Sequence, residues 1–184
     1  FYINIKLISA CRNLTFCPLK AYNPDMDDRK IEISRADERD IPRIGALLLQ
    51  VNNVHAAIRP DLFFRGGRKY TDEALSQLLN DETRPVFAAR RNGILIGYAF
   101  CKHETHDGTN EPRHTTLYID DLCVEESERG TGVGRALYEH VLAYARMNGF
   151  YNVTLNVWEG NGSALKFYQS LGLKVQKYGM EIIL

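Results

Sequence analysis

Long apolar runs are missing from this 184-residue chain. None approaches the roughly 20 residues that a membrane-spanning helix needs. Net charge is missing too. Twenty-three Lys and Arg balance twenty-three Asp and Glu. No overall field therefore draws in nucleic acid or an anionic membrane surface, and neither is an expected partner. Cysteine is scarce. Cys11, Cys17, Cys101 and Cys123 form no CxxC pair and are too few for a disulfide scaffold. They read as reduced thiols of a cytoplasmic protein. Cys101, His103, His106 and His114 fit no standard metal spacing. Part of that set falls in a polar stretch expected to be a loop, which does not fix ligands; no metal is expected. The chain also has no internal repeat and no low-complexity tract.

What is present is ordinary for a globular protein: 45% apolar and 25% charged residues, in a length suited to one domain. Residues 1–25 look foreign to the rest. Lys6, Arg12 and Lys20 precede the first acid, Asp25, and Met26 opens a more typical stretch. The expected division is a leader, tag or non-native extension over 1–25 and a single domain over 26–184.

Periodicity outlines the elements. KIEIS alternates like a half-buried strand. Asp37 is a plausible helix cap, and Ile44, Leu47, Leu48 and Val51 share the face of the helix that follows. Thr71 caps a second helix. Asn92-Gly93 between PVFAARR and ILIGYAFCKH is a strong hairpin signal. Residues 104–114 are expected to loop and 115–124 to form a strand. A helix over about 132–148 presents Val133, Leu137, Val141, Tyr144 and Ala145, with Gly149 past its end. A strand over 152–158, a short helix ended by Gly172 and terminal β structure complete the chain. Two strands flanking a helix imply a parallel pair with a right-handed crossover. The fold class is therefore α/β, a mixed and mostly antiparallel sheet with helices on both faces.

The stretch ERGTGVGRALYEHVL places Arg129, Gly130, Thr131, Gly132, Val133, Gly134 and Arg135 at the mouth of that long helix. A helix N-terminus carries unpaired N–H groups and a partial positive charge. Glycine lets the backbone approach a phosphate closely. The segment most simply binds a phosphate or pyrophosphate; a loop that only permits a tight turn is the alternative. Neither the lysine of a P-loop nor the third glycine of a dinucleotide fingerprint is present.

Arg129-x-x-Gly132-x-Gly134 resembles the Q/R-x-x-G-x-G/A loop of the GNAT superfamily of acyl-CoA-dependent N-acetyltransferases. Downstream, Asn161, Ala164, Phe167, Tyr168 and Gly172 match that family's N-x-x-A-x-x-F-Y-x-x-x-G-F segment, with Leu173 in place of the usual Phe. The order of elements agrees from residue 30 onward.

The resemblance implies the GNAT fold, in which a central parallel pair of strands splays apart. It implies acetyl-CoA as cosubstrate, its pyrophosphate held by residues 129–135 and its pantetheine arm paired with Leu122, Cys123 and Val124. It implies Tyr168 as the acid that protonates the departing thiolate, although a core aromatic is the bland alternative. Asn161 is either a cofactor contact or a helix cap. An ammonium cannot attack a thioester, so a base is needed. Asp120 and Asp121 look like the Glu-Asp pair of spermidine/spermine-type members. Alternation along a strand sends their side chains to opposite faces, so one is expected to reach the cleft. Asp120 is the favoured base; a carboxylate there also attracts a cationic amine. His55, Asp61, Phe63, Phe64 and Trp158 are expected either to line the acceptor pocket or to pack the loop on the core.

The resemblance implies an N-acetyltransferase acting by direct attack in a ternary complex, with a small polyamine-like amine as first acceptor. A peptide N-terminus or lysine is the second choice. A non-catalytic acyl-CoA-binding domain is the different-class alternative. Dimers are common in the family, and a homodimer is the expected assembly.

Overall fold

Asn92 (φ 52°) and Gly93 (φ 75°) both take positive φ. That conformation matches the twist of the strands they join, β2 (Val86–Arg91) and β3 (Ile94–His106). The computed structural model describes residues 30–184. The expectations for residues 1–25, with Cys11 and Cys17, lie outside the described residues.

Before that hairpin come β1 (Glu32–Arg35), α1 (Ile41–Ile58) and α2 (Asp72–Leu79). After it come β4 (His114–Val124), α3 (Val133–Met147), β5 (Asn152–Leu155) and α4 (Gly162–Ser170). The strands form one sheet in the order β1-β2-β3-β4-β5. Its first three pairings are antiparallel, and β4 with β5 is parallel. Asp37 caps a 3-10 turn at Glu38–Asp40 that leads into α1, and Thr71 caps α2 by accepting from the Ala74 amide.

Alternation gives the sheet two apolar faces. Val86, Ala88, Tyr98 and Phe100 pack under Ile44, Leu47 and Leu48 of α1 and Leu75 and Leu78 of α2. Phe87, Ala89, Ala99, Leu117 and Ile119 pack on the other face against Val133, Leu137, Val141 and Ala145 of α3. Burying each large aliphatic side chain contributes roughly 1.5–3 kcal/mol, so α3 is held mainly by this stripe. No helix among the described residues is long and apolar enough to cross a membrane.

Three expectations need correction. The loop expected over 104–114 is shorter, because the β3–β4 ladder continues to His106↔His114. Glu104, Thr105, Thr115 and Thr116 are polar, yet the threonines are β-branched and suit a strand. The strand expected over 152–158 stops at Leu155. Finally, residues 173–184 form no strand, and Tyr178, Met180, Ile182 and Ile183 stay exposed. Alternating apolar residues favour an extended chain, but a strand needs a partner edge, and this segment makes no ladder.

Candidate active site

The parallel ladder between β4 and β5 runs only from Thr116↔Asn152 to Ile119↔Leu155. Beyond it the chain leaves the sheet at Asn156, whose Nδ2 donates to Tyr118 Oη at 3.1 Å. Residues 121–124 of β4 keep their partners on β3 but have none on β5. The strands therefore part, and one edge of the β4 backbone faces a gap. At the gap's far end Gln50 Nε2 and Arg129 Nε both donate to the Val124 carbonyl.

The glycine mouth stands beside this gap. Gly132 caps α3 with φ 94° and Gly130 has φ 80°, a left-handed backbone that other residues adopt only with strain. Residues 129–132 are exposed. The amides of the first turn have no intrahelical acceptor, so the mouth offers donors to solvent. An anionic diphosphate fits this donor set. Gly134 serves a different purpose. A Cβ there would lie 3.2 Å from Phe167 Cζ, so the glycine lets α4 pack down on the start of α3. Arg135 pairs with Glu139 on the surface. Thr131 Oγ1 donates to the Glu128 carbonyl, and Val133 is buried in the core.

A cavity of about 570 Å³ continues from the gap. Asp120 and Asp121 both line it, which corrects the expectation of opposite faces. The cause is a bulge. Phe100 pairs with Asp121 and Cys101 with Ile119, so β4 carries one extra residue, Asp120. The insertion resets the alternation. Leu117 and Ile119 point toward α3 before it, and Cys123 points toward α1 after it.

The two carboxylates differ in surroundings. Asp120 Oδ2 accepts from Lys69 Nζ at 2.8 Å and from Tyr70 Oη at 3.2 Å. Asp121 Oδ2 accepts from Tyr98 Oη at 2.8 Å. Desolvation raises the Asp121 carboxyl to about 6, against the lowering pull of Tyr98 and Lys69. Burial likewise pushes the Tyr98 phenol well up, so it remains a donor.

Tyr168 lines the same cavity. Burial, reinforced by the Asp121 charge, raises its phenol above the ordinary range. Asn161 lines the cavity while its side chain caps α4 through the Ala164 amide, so the cap is established. Leu122 lines the cavity as well. Cys123 turns away into the core, 3.4 Å from Gln50 Nε2, and desolvation lifts its thiol to about 12. Val124 packs toward α3.

On the acceptor side, His55, Phe63, Phe64 and Trp158 line the cavity. Phe63 stands between His55 and Trp158, with centroids 5.2 and 5.5 Å away. Burial depresses the His55 imidazole, which favours its neutral form. Asp61 is not among the lining residues, which corrects that expectation. Arg59, two residues earlier, donates to both its oxygens and turns it outward; Arg59 also pairs with Glu181 at 2.5 Å.

Sequence reasoning missed Tyr98, Lys69, Tyr70 and Gln50. Tyr98 carried a usable signal, because a phenol inside an apolar strand requires a partner. The others had none, since their partners lie about 50 or more residues away in the chain.

A family model described as the acetyltransferase (GNAT) family matches residues 48–173. A mycothiol acetyltransferase from Thermobispora bispora is 39% identical over 87 residues, 47% of this chain and 28% of that protein. A peptidyl-lysine N-acetyltransferase from Escherichia coli is 41% identical over 58 residues, 32% of this chain and 36% of that protein. The matched part thus spans about a third of these curated relatives. A crystal structure of a mutant Bacillus halodurans protein superposes with a TM-score of 0.79 at 27% identity. It covers 83% of this chain and 99% of that one.

Proposed function

The chain belongs to the acetyltransferase (GNAT) family, and on that premise we propose that it transfers an acetyl group from acetyl-CoA to a primary amine by direct attack in a ternary complex. One observation carries this reading. The parting of β4 from β5 connects the glycine mouth to a cavity that holds two carboxylates and Tyr168. Acetyl-CoA would supply the activated acyl thioester. The unpaired amides among residues 129–135 would hold its diphosphate, and the edge of Leu122–Val124 that lacks a β5 partner would align its arm.

Asp121 is the base in this reading, in place of Asp120, whose carboxylate Lys69 already holds. Its rise from 3.8 to about 6 narrows the gap to an alkyl ammonium. That is worth about 3 kcal/mol of proton-transfer driving force. Tyr168 would donate a proton to the leaving thiolate; its raised pKa keeps the phenol protonated until that moment. Cys123, buried and pushed up to about 12, is no nucleophile, which favours direct attack.

The acceptor is a small cationic amine in this reading. Asp121 would receive the ammonium, and Phe63 and Trp158 would flank its alkyl part. A lysine side chain presents the same group, and the Escherichia coli relative named for peptidyl-lysine makes it the second choice.

Calorimetric titration with acetyl-CoA tests the mouth. Gly132→Val should weaken binding at least about tenfold, because a β-branched residue at φ 94° displaces the loop. Unchanged affinity would refute the placement. Binding without thiol release across polyamines, amino acids, aminoglycosides and lysyl peptides would leave a non-catalytic acyl-CoA-binding domain.

A further inference from the structure

The far end of the β3–β4 hairpin carries a cluster that the acetyl-transfer reading does not use. His106 closes β3, His114 opens β4, and they are directly paired across the ladder. Their rings stack with centroids 4.2 Å apart and planes 8° from parallel. Glu111 reaches back from the connecting loop, its Oε1 2.8 Å from His106 Nδ1. One ligand atom from each of the three residues lies within 4.8 Å of the others. The sequence had set metal aside because a flexible loop does not fix ligands. The ladder removes that objection, since both imidazoles stand on paired strands and not in the loop.

A hydrogen bond also sets one tautomer. His114 Nδ1 lies 2.7 Å from the Pro112 carbonyl oxygen. A carbonyl only accepts, so Nδ1 carries the proton and Nε2 offers its lone pair. A carbonyl or carboxylate on the far ring nitrogen is the usual support of a metal-bound histidine. At His106 the Glu111 oxygen lies 2.8 Å from Nδ1, about the spacing of two neighbouring ligands on one ion, so His106 would give up its Nδ1 proton on binding and both atoms would face the metal. Zinc takes nitrogen ligands at about 2.0–2.1 Å, which sets them roughly 3.3 Å apart around a tetrahedron. With one ligand atom of each residue already within 4.8 Å of the others, those atoms need to close by about 1.5 Å at most, within the swing of partly exposed side chains.

We infer that His106, His114 and Glu111 form a site for one borderline divalent ion of the Zn²⁺, Ni²⁺ or Cu²⁺ class, which staples the 107–113 loop to the hairpin. Imidazole nitrogens select these ions over Mg²⁺ and Ca²⁺. Asp120 lies six residues along β4 from His114, roughly 20 Å at the rise of a strand, so the ion has no part in acetyl transfer.

The test is titration of the chelator-treated chain with ZnCl₂ by calorimetry, paired with hydrogen exchange over 104–116. Binding of one zinc per chain, with slowed exchange in the hairpin, is the expected result. His106→Gln and His114→Gln should each weaken binding at least about tenfold, and Glu111→Gln by several-fold. Calcium should not bind in place of zinc. Absence of zinc uptake would overturn the inference. So would uptake that survives all three substitutions, which would point to His55, His103 or His140. Because Glu111 is exposed in the loop, its variant separates a lost ligand from a lost fold.

Discussion

Replacing Asp121 with asparagine separates catalysis from stability in opposite directions. The side chain keeps its shape and still accepts from Tyr98, but it no longer titrates. In the fold Asp121 sits at about 6 against 3.8 for a free carboxyl. A shift of about 2 units is worth at most about 3 kcal/mol, and roughly half of that once water in the cavity screens it. The sign follows from linkage. A carboxyl whose folded pKa is raised supports the fold fully below its unfolded value, and that support disappears as pH rises through about 6. Asp121→Asn should therefore match the parent near pH ~4 and exceed it near pH ~8. For a chain of this size 1–2 kcal/mol corresponds to about 2–8 °C in the melting midpoint. Acetyl transfer should fall by roughly 10²–10⁴, the usual contribution of a general base. The parent's kcat/KM should rise with pH through about 6, and the variant should lose that limb. Differential scanning fluorimetry at both pH values, beside a thiol-release assay, measures both. A midpoint gap independent of pH, or an active variant with the parent's pH profile, would refute the assignment.

Tyr168→Phe should lower turnover by roughly 10² while acetyl-CoA affinity stays within about twofold; an unchanged rate removes its role as acid. Gly134→Ala places a Cβ 3.2 Å from Phe167 Cζ and should shift α4, reducing kcat roughly three- to tenfold. Adding Phe167→Leu should restore part of that loss, and a double variant no better than the single one would break the packing argument. Cys123→Ala should keep turnover within about threefold, whereas a loss beyond about 10² would indicate a covalent route.

Much of this protein was legible from residue order alone, because the signals that mattered were local. Asn92-Gly93 specifies its turn by positive φ at two adjacent residues. Thr71 and Asn161 cap helices through bonds that span three residues. The glycine mouth and the segment around Tyr168 are short motifs whose spacing survives without knowing the fold. Tertiary structure decided what depends on pairing between distant segments. Asp120 and Asp121 share a cavity only because β4 holds one residue more than the stretch of β3 it pairs with, Gly97–His106, a count invisible in either strand. Lys69 reaches Asp120 across 51 positions, and that contact is what sets the two carboxylates apart. The terminal segment alternates as a strand should and still forms none, because propensity describes one chain while a ladder requires two.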